Sequence, residues 1–149
     1  MMQKYPEMDL GVLEGLSWEE RRQKYPEMDL DEKLSLLKAP GGESYEDVKE
    51  RCRSFMENHL KNMDDERNVI IVSHGITLRI LTNLLLNRPD SDVNDLNWME
   101  TTALTELVRE KPGHTYRIVR LNDYSHLKEL KTDGYENWGL FAKHDYLAL

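Results

Sequence analysis

With one cysteine in 149 residues, the chain has no internal disulfide to form, which excludes the bridge-stapled architecture of small secreted domains. Cys52 recurs within an apolar pattern at helical spacing, so it reads as a buried thiol suited to a reducing cytoplasm rather than as a reactive group. Long hydrophobic runs are missing as well. No stretch approaches the roughly 18 to 20 residues of a membrane span, and Met1 to Leu10 lack the basic flank and apolar centre of an export signal. Positive charge is in deficit: 20 Lys and Arg face 28 Asp and Glu, a net charge of −8. That balance argues against nonspecific association with nucleic acid or anionic membrane, so any phosphate site must be locally basic. The length fits one domain able to bury a single core without structural metal.

What is present centres on residues 69 to 75, Val-Ile-Ile-Val-Ser-His-Gly, followed by the almost wholly apolar stretch Ile76 to Leu86. Four β-branched residues with no polar break predict a strand at 69–73 covered on both faces, and the next stretch predicts a helix at 75–87. His74 therefore stands where strand gives way to helix, the end of the sheet at which α/β proteins bind ligands. Gly75 allows a tight turn and lets a ligand approach the first free N–H groups of the helix, where anions are favoured. His74 would then face a phosphate or a carboxylate. The pentad Val72 to Ile76, taken alone, fits equally a histidine that merely caps or packs.

Two further helices carry start signals. Ser17 with Glu20 has capping-box spacing, Glu19 and Glu20 precede Arg21, Arg22 and Lys24, and Pro26 ends the run, predicting a helix at 17–25. Lys38 to Glu43, with Ala-Pro-Gly-Gly, is a loop, and Ser44 with Asp47 opens the next helix. On that helix Tyr45, Val48, Cys52, Phe55, Met56, Leu60 and Met63 share one face. At roughly 1.5 Å per residue it is about 28 Å long, and burial of the stripe requires a partner layer. After a polar turn at Asn87–Asp95, strands at 101–108 and 116–121 read as an antiparallel pair. From Asn122 onward the chain reads as loop with short helical turns. Residues 3–10 and 23–30 are the same octapeptide, QKYPEMDL. Two copies make no solenoid, which leaves a local duplication or an artefact of the gene prediction.

The segments Glu7-Met-Asp-Leu-Gly-Val-Leu-Glu-Gly-Leu, Gly42-Glu-Ser, Val72-Ser-His-Gly, Thr102-Ala-Leu-Thr-Glu, Leu121-Asn-Asp and His126-Leu127 resemble, in family order, the histidine phosphatase superfamily. That superfamily includes cofactor-dependent phosphoglycerate mutases and broad-specificity phosphatases. The resemblance spans about residues 5 to 130 and implies a three-layer α/β/α sandwich with a mostly parallel sheet. It also implies an Arg-His-Gly motif whose His is the phosphorylated nucleophile, and no Arg-His-Gly occurs in this sequence. The only His-Gly is His74-Gly75, which matches the family's second, non-nucleophilic His. The expectation is a single histidine phosphatase-like domain over residues 1–149, truncated at its amino end by about 60 to 80 residues.

By resemblance, His74 is the electrostatic clamp on the phosphoryl group and the Gly75 N–H helps to hold it. Glu7, ahead of the Asp-Leu-Gly segment, is the proton donor and later the base that activates water. Glu27 sits in an identical Pro-Glu-Met context, but only the first copy is followed by Gly11. Without the resemblance, Glu7 would count as a solvated carboxylate. Glu14, where many relatives have Trp in place of the adjacent Leu13, reads as a hydrogen-bonding structural residue. Arg79 reads as a structural salt bridge, and Glu43 and Ser44 as helix caps. His59, His114, His126 and His144 show no ligand spacing, so neither metal nor cofactor is expected.

The implied substrate is a small phosphate ester or inorganic phosphate. Loss of the nucleophile from a covalent mechanism can remove on the order of 10⁶ in rate, so the chain alone is expected to be inactive or nearly so. One reading is a phosphatase or mutase that needs another segment; the other is a catalytically inactive phosphate-binding or assembly protein. A homodimer covering the exposed sheet is a further expectation.

Overall fold

The computed structural model describes residues 6–28, 34–63, 67–96, 99–110 and 115–127, the side chain of Trp18 apart. Helix α1, Trp18–Lys24, begins with the expected capping box: Ser17 Oγ accepts from Glu20 N, and Glu20 Oε2 accepts from Ser17 N at 2.8 Å. Helix α2, Tyr45–Phe55, begins the same way through Ser44 and Asp47, and runs on as a π turn at Met56–Leu60. Tyr45, Val48, Cys52 and Leu60 are buried, while Phe55, Met56 and Met63 are partly buried against the same cluster. The predicted stripe is therefore the inner face of this element.

Helix α3, Gly75–Leu85, packs Ile76 and Ile80 into the cluster with Val48 and Cys52 of α2. Each large side chain buried in this way contributes about 1.5–3 kcal/mol before entropy is subtracted. Asn87 ends α3 at φ +53, with Asn87 N–H donating to Leu84 O at 2.9 Å and Arg88 N–H to Asn83 O at 3.1 Å. This paired arrangement satisfies carbonyls that a helix end leaves open, and Asn tolerates the left-handed backbone it needs. The predicted polar turn is a 3₁₀ segment, Asp90–Asp95. It is tied to α3 by Arg79, 2% exposed, whose Nε and Nη2 donate to Val93 O and Asn94 O, both at 2.9 Å.

Strands β1, Leu104–Arg109, and β2, Tyr116–Asp123, form the expected antiparallel pair, with register irregularities on either side of Glu106. The pair meets the end of the α2 element, where Arg109 Nη2 donates to Met63 O at 3.0 Å. The tail predicted as loop from Asn122 onward instead begins inside β2, whose pairing with β1 runs to Asp123; Ser125–Leu127 is a 3₁₀ turn, and residues 128–149 lie outside the described residues.

The 69–73 run differs from expectation. It has no regular secondary structure, and no ladder forms along it among the described residues, whose only sheet is β1–β2. A parallel ladder needs a strand alongside, and the described residues provide none. Ile71 packs against the α2–α3 layer, whereas Ile70 and Val72 are 89% and 87% exposed. One face is thus covered where two were expected. The α/β class stands, while the mostly parallel, three-layer sheet is not displayed by the described residues.

Candidate functional site

An α-helix begins with N–H groups that have no partner within the helix. In α3 the Ile76 N–H donates to Glu7 Oε2 and the Thr77 N–H to Glu7 Oε1, both at 3.0 Å. Thr77 Oγ1 lies 2.9 Å from Pro6 O and 3.2 Å from Glu7 Oε1, so its single proton serves one acceptor at a time. Met8 N–H also donates to Oε1, at 2.9 Å. At the amino end of α3, where the sequence suggested an anion, a carboxylate of the same chain takes the Ile76 and Thr77 donors. This seat lies at the positive end of the helix dipole, where a negative charge gains about 0.3–1 kcal/mol.

The segment that carries Glu7 is irregular, and the loop before α2 holds it. Glu43 N–H donates to Asp9 O at 2.8 Å and Asp9 N–H donates to Glu43 Oε2 at 3.0 Å. Val12 N–H reaches Pro40 O at 3.1 Å. The two backbones are so close that a Cβ on Gly11 would lie 2.3 Å from Pro40 O, and one on Gly42 2.3 Å from Asp9 O. Glycine is required at both crossings. Arg51 of α2 meets Glu43 through two bonds, Nε to Oε1 at 2.7 Å and Nη2 to Oε2 at 2.9 Å. The guanidinium holds the Glu43 carboxyl below its ordinary range, and the carboxylate raises Arg51 in turn.

His74 is the N-cap residue of α3, extended at φ −118 and ψ 171. Its carbonyl accepts from Leu78 N at 2.8 Å, while its ring makes no capping bond and is exposed. The capping alternative is therefore not what the imidazole does. Among the described residues no acceptor meets the Gly75 N–H, so this donor remains beside the imidazole after Glu7 has taken the next two. Behind the junction, Cys52, Phe55, Ile71, Ser73, Thr77 and Leu81 line a shallow apolar dent. Burial pushes the Cys52 thiol up to about 11, in keeping with an inert packing residue.

Other expectations sort differently. Glu27 is exposed just beyond α1, and Glu14 is exposed. Arg79, expected in a structural salt bridge, donates to two backbone carbonyls of the Asp90–Asp95 turn. Ser44 does cap α2, but Glu43 pairs with Arg51 and Asp9, because its place before the cap points it back across the loop. His126 Nε2 lies 2.9 Å from Thr102 Oγ1, which joins the last motif segments to each other. His59 is exposed against the Phe55 ring, and His114 and His144 lie outside the described residues. Among the described residues no group of three or more His, Cys, Asp or Glu is placed to hold a metal. Thr77 and Arg51 were not anticipated as parts of this site. The one available signal was a hydroxyl in the first turn of the helix.

The described residues thus place an imidazole and a carboxylate together at the amino end of α3. The sequence profile of the histidine phosphatase superfamily (branch 1) matches residues 3–124. The chain belongs to that superfamily. It is 35% identical over 89 residues to a Caenorhabditis elegans 6-phosphofructo-2-kinase/fructose-2,6-bisphosphatase, covering 58% of this chain and 19% of that protein. A Latilactobacillus sakei 2,3-bisphosphoglycerate-dependent phosphoglycerate mutase 2 is 36% identical over 58 residues, covering 38% and 25% respectively. Among solved structures, mycobacterial glucosyl-3-phosphoglycerate phosphatase with inorganic phosphate superimposes with a TM-score of 0.66 at 26% identity, over 78% of this chain and 61% of that one. Bacillus stearothermophilus YhfR gives 0.62 at 29% identity, over 81% and 59%. The chain thus spans a quarter or less of these curated relatives and about three-fifths of these solved ones.

Proposed function

We propose that this chain contributes the non-covalent part of a phosphoryl-transfer centre acting on small phosphate esters. His74 and the Gly75 N–H hold the phosphoryl oxygens, and Glu7 carries the proton for the leaving oxygen and then for attacking water. The observation that carries this reading is the exposed His74 imidazole at the end of α3 on which the Glu7 carboxylate is seated. An imidazolium and a backbone donor offset charge that builds on equatorial oxygens. Glu7 Oε1 is crowded by its donors, whereas Oε2 receives one, so Oε2 keeps the lone pair on which a proton can travel. Relatives solved with inorganic phosphate and with VO3 support a phosphate-like ligand.

Transfer to a histidine also needs a second, nucleophilic imidazole, and Arg-His-Gly is absent from these 149 residues. The chain by itself therefore binds phosphate or vanadate without turnover. The test is calorimetric titration with vanadate beside a p-nitrophenyl phosphate assay, for wild type and His74→Ala. Saturable binding that is lost in the variant, with no hydrolysis in either, is the expected result. Hydrolysis abolished by His74→Ala would instead make His74 the nucleophile, and absence of any binding would remove the reading.

A second reading, an assembly protein, rests on the exposed Ile70 and Val72. A homodimer in which these apolar side chains are covered sediments at twice the monomer mass, and Ile70→Lys returns it to monomer. A wild-type monomer at all concentrations would end this second reading.

A further inference from the structure

Glu7 lies in a segment with no helix or strand of its own, yet its carboxylate must meet two particular N–H groups about seventy residues further along the chain. Some structure must restrain the backbone there, since an untethered segment samples many conformations and would leave that seat. We propose that Arg51, locked by Glu43, is the positioning residue that seats Glu7 on the amino end of α3.

The geometry of one guanidinium carries the argument. Its Nε and Nη2 grip both oxygens of Glu43 at 2.7 and 2.9 Å. From that fixed orientation Nη1 reaches Pro6 O at 3.3 Å and Nη2 reaches Glu7 O at 3.4 Å. The carbonyls on both sides of the Glu7 N–Cα bond are thereby held by one rigid fork. Glu43 closes the arrangement from the other side, because the same Oε2 that Arg51 grips also accepts the Asp9 N–H at 3.0 Å. Arg51 and Glu43 thus bracket Glu7 in sequence, one at residues 6 and 7 and the other at residue 9. Thr77 Oγ1, also at Pro6 O, steadies the same peptide from the α3 side. A lysine could supply the charge but not the planar, bidentate fork, so Arg to Lys is not conservative here. Arg51 touches no reacting atom in this scheme and acts through Glu7.

The inference rests on the reading of Glu7 as proton carrier for its catalytic meaning, and its test does not depend on turnover. Amide resonances of Ile76 and Thr77, bonded to a carboxylate, lie downfield in the wild-type chain, and Glu7→Gln sets their unseated reference. In Arg51→Ala both move at least halfway to that reference, while the amides of Leu81 and Leu84 stay in place. Arg51→Lys recovers part of the shift. Should Arg51→Ala fail to fold, Glu43→Gln, which keeps the side-chain volume and weakens the lock, moves the same two amides in the same direction. Ile76 and Thr77 unmoved in the folded variants would overturn the proposal. Inorganic phosphate titrated into wild type separately probes the Gly75 amide and the His74 ring. Silence there would remove the phosphate reading and leave the Arg51 result standing.

Discussion

Residues 3–10 and 23–30 carry the same eight letters; the methionine of each packs on the same core, but the described parts of the two copies are buried and bonded to different degrees. In the first, Met8 is 2% exposed within the core and Glu7 is bonded to the amino end of α3. In the second, Gln23 and Lys24 finish α1, Glu27 is exposed, and Met28 is only partly buried. Over the three positions described in both copies, Pro6–Met8 and Pro26–Met28, identical local sequence is an irregular, clamped segment in one place and a turn just beyond a helix in the other. The difference lies in what surrounds each copy. The first meets the N–H groups of α3, the Arg51 fork and the Gly42 crossing, whereas the second follows a capped helix whose Ser17–Glu20 box has already set the backbone.

The comparison can be broken most forcefully at the methionines. Met8→Ala is expected to cost about 2–5 kcal/mol, the range for emptying a buried site, and Met28→Ala distinctly less, as measured by urea unfolding. Equal losses would mean that the two copies are energetically alike. The glutamates sharpen the contrast at smaller amplitude. Glu7→Gln points an amide NH₂ at backbone donors and costs about 1–3 kcal/mol; Glu27→Gln stays within about 0.5 kcal/mol. The same denaturation curves read both. The smallest effect concerns pH. Arg51 depresses Glu43, so the stability this pair supplies is full above the ordinary carboxylate range and is lost as pH falls through the lowered Glu43 value. The stability gap between wild type and Glu43→Gln should therefore narrow between neutral pH and about pH 3. A gap that widens on acidification would refute the pairing.

What could be read from the sequence was what depends on near neighbours. The capping boxes at Ser17 and Ser44 and the stripe from Tyr45 to Met63 are signals a few residues long, and they located α1 and α2. The β1–β2 pair was visible because its partners are adjacent in the chain. The run at 69–73 showed its apolar character but not its covering, since burial of a strand depends on distant segments. At the site, His74 and Gly75 stood out as a polar break before an apolar helix. Glu7 could be chosen over Glu27 only through family resemblance and the following Gly11, because the two lie in the same Pro-Glu-Met context. Arg51 was invisible, being one of several charges on a helix whose outer face is charged throughout.

The Arg79 bonds to Val93 and Asn94 span 14 and 15 residues, while those from Ile76 and Thr77 to Glu7 span 69 and 70. Short loops close at lower entropic cost than long ones, so α3 and its following turn can dock early, whereas the carboxylate must arrive from far along the chain. We predict that pulse-labelled hydrogen exchange during refolding will find the amides of Ile76 and Thr77 among the last in α3 to gain protection; their protection in step with the rest of the helix would contradict this. The seating of Glu7 on α3 would then be among the last contacts the refolding chain makes.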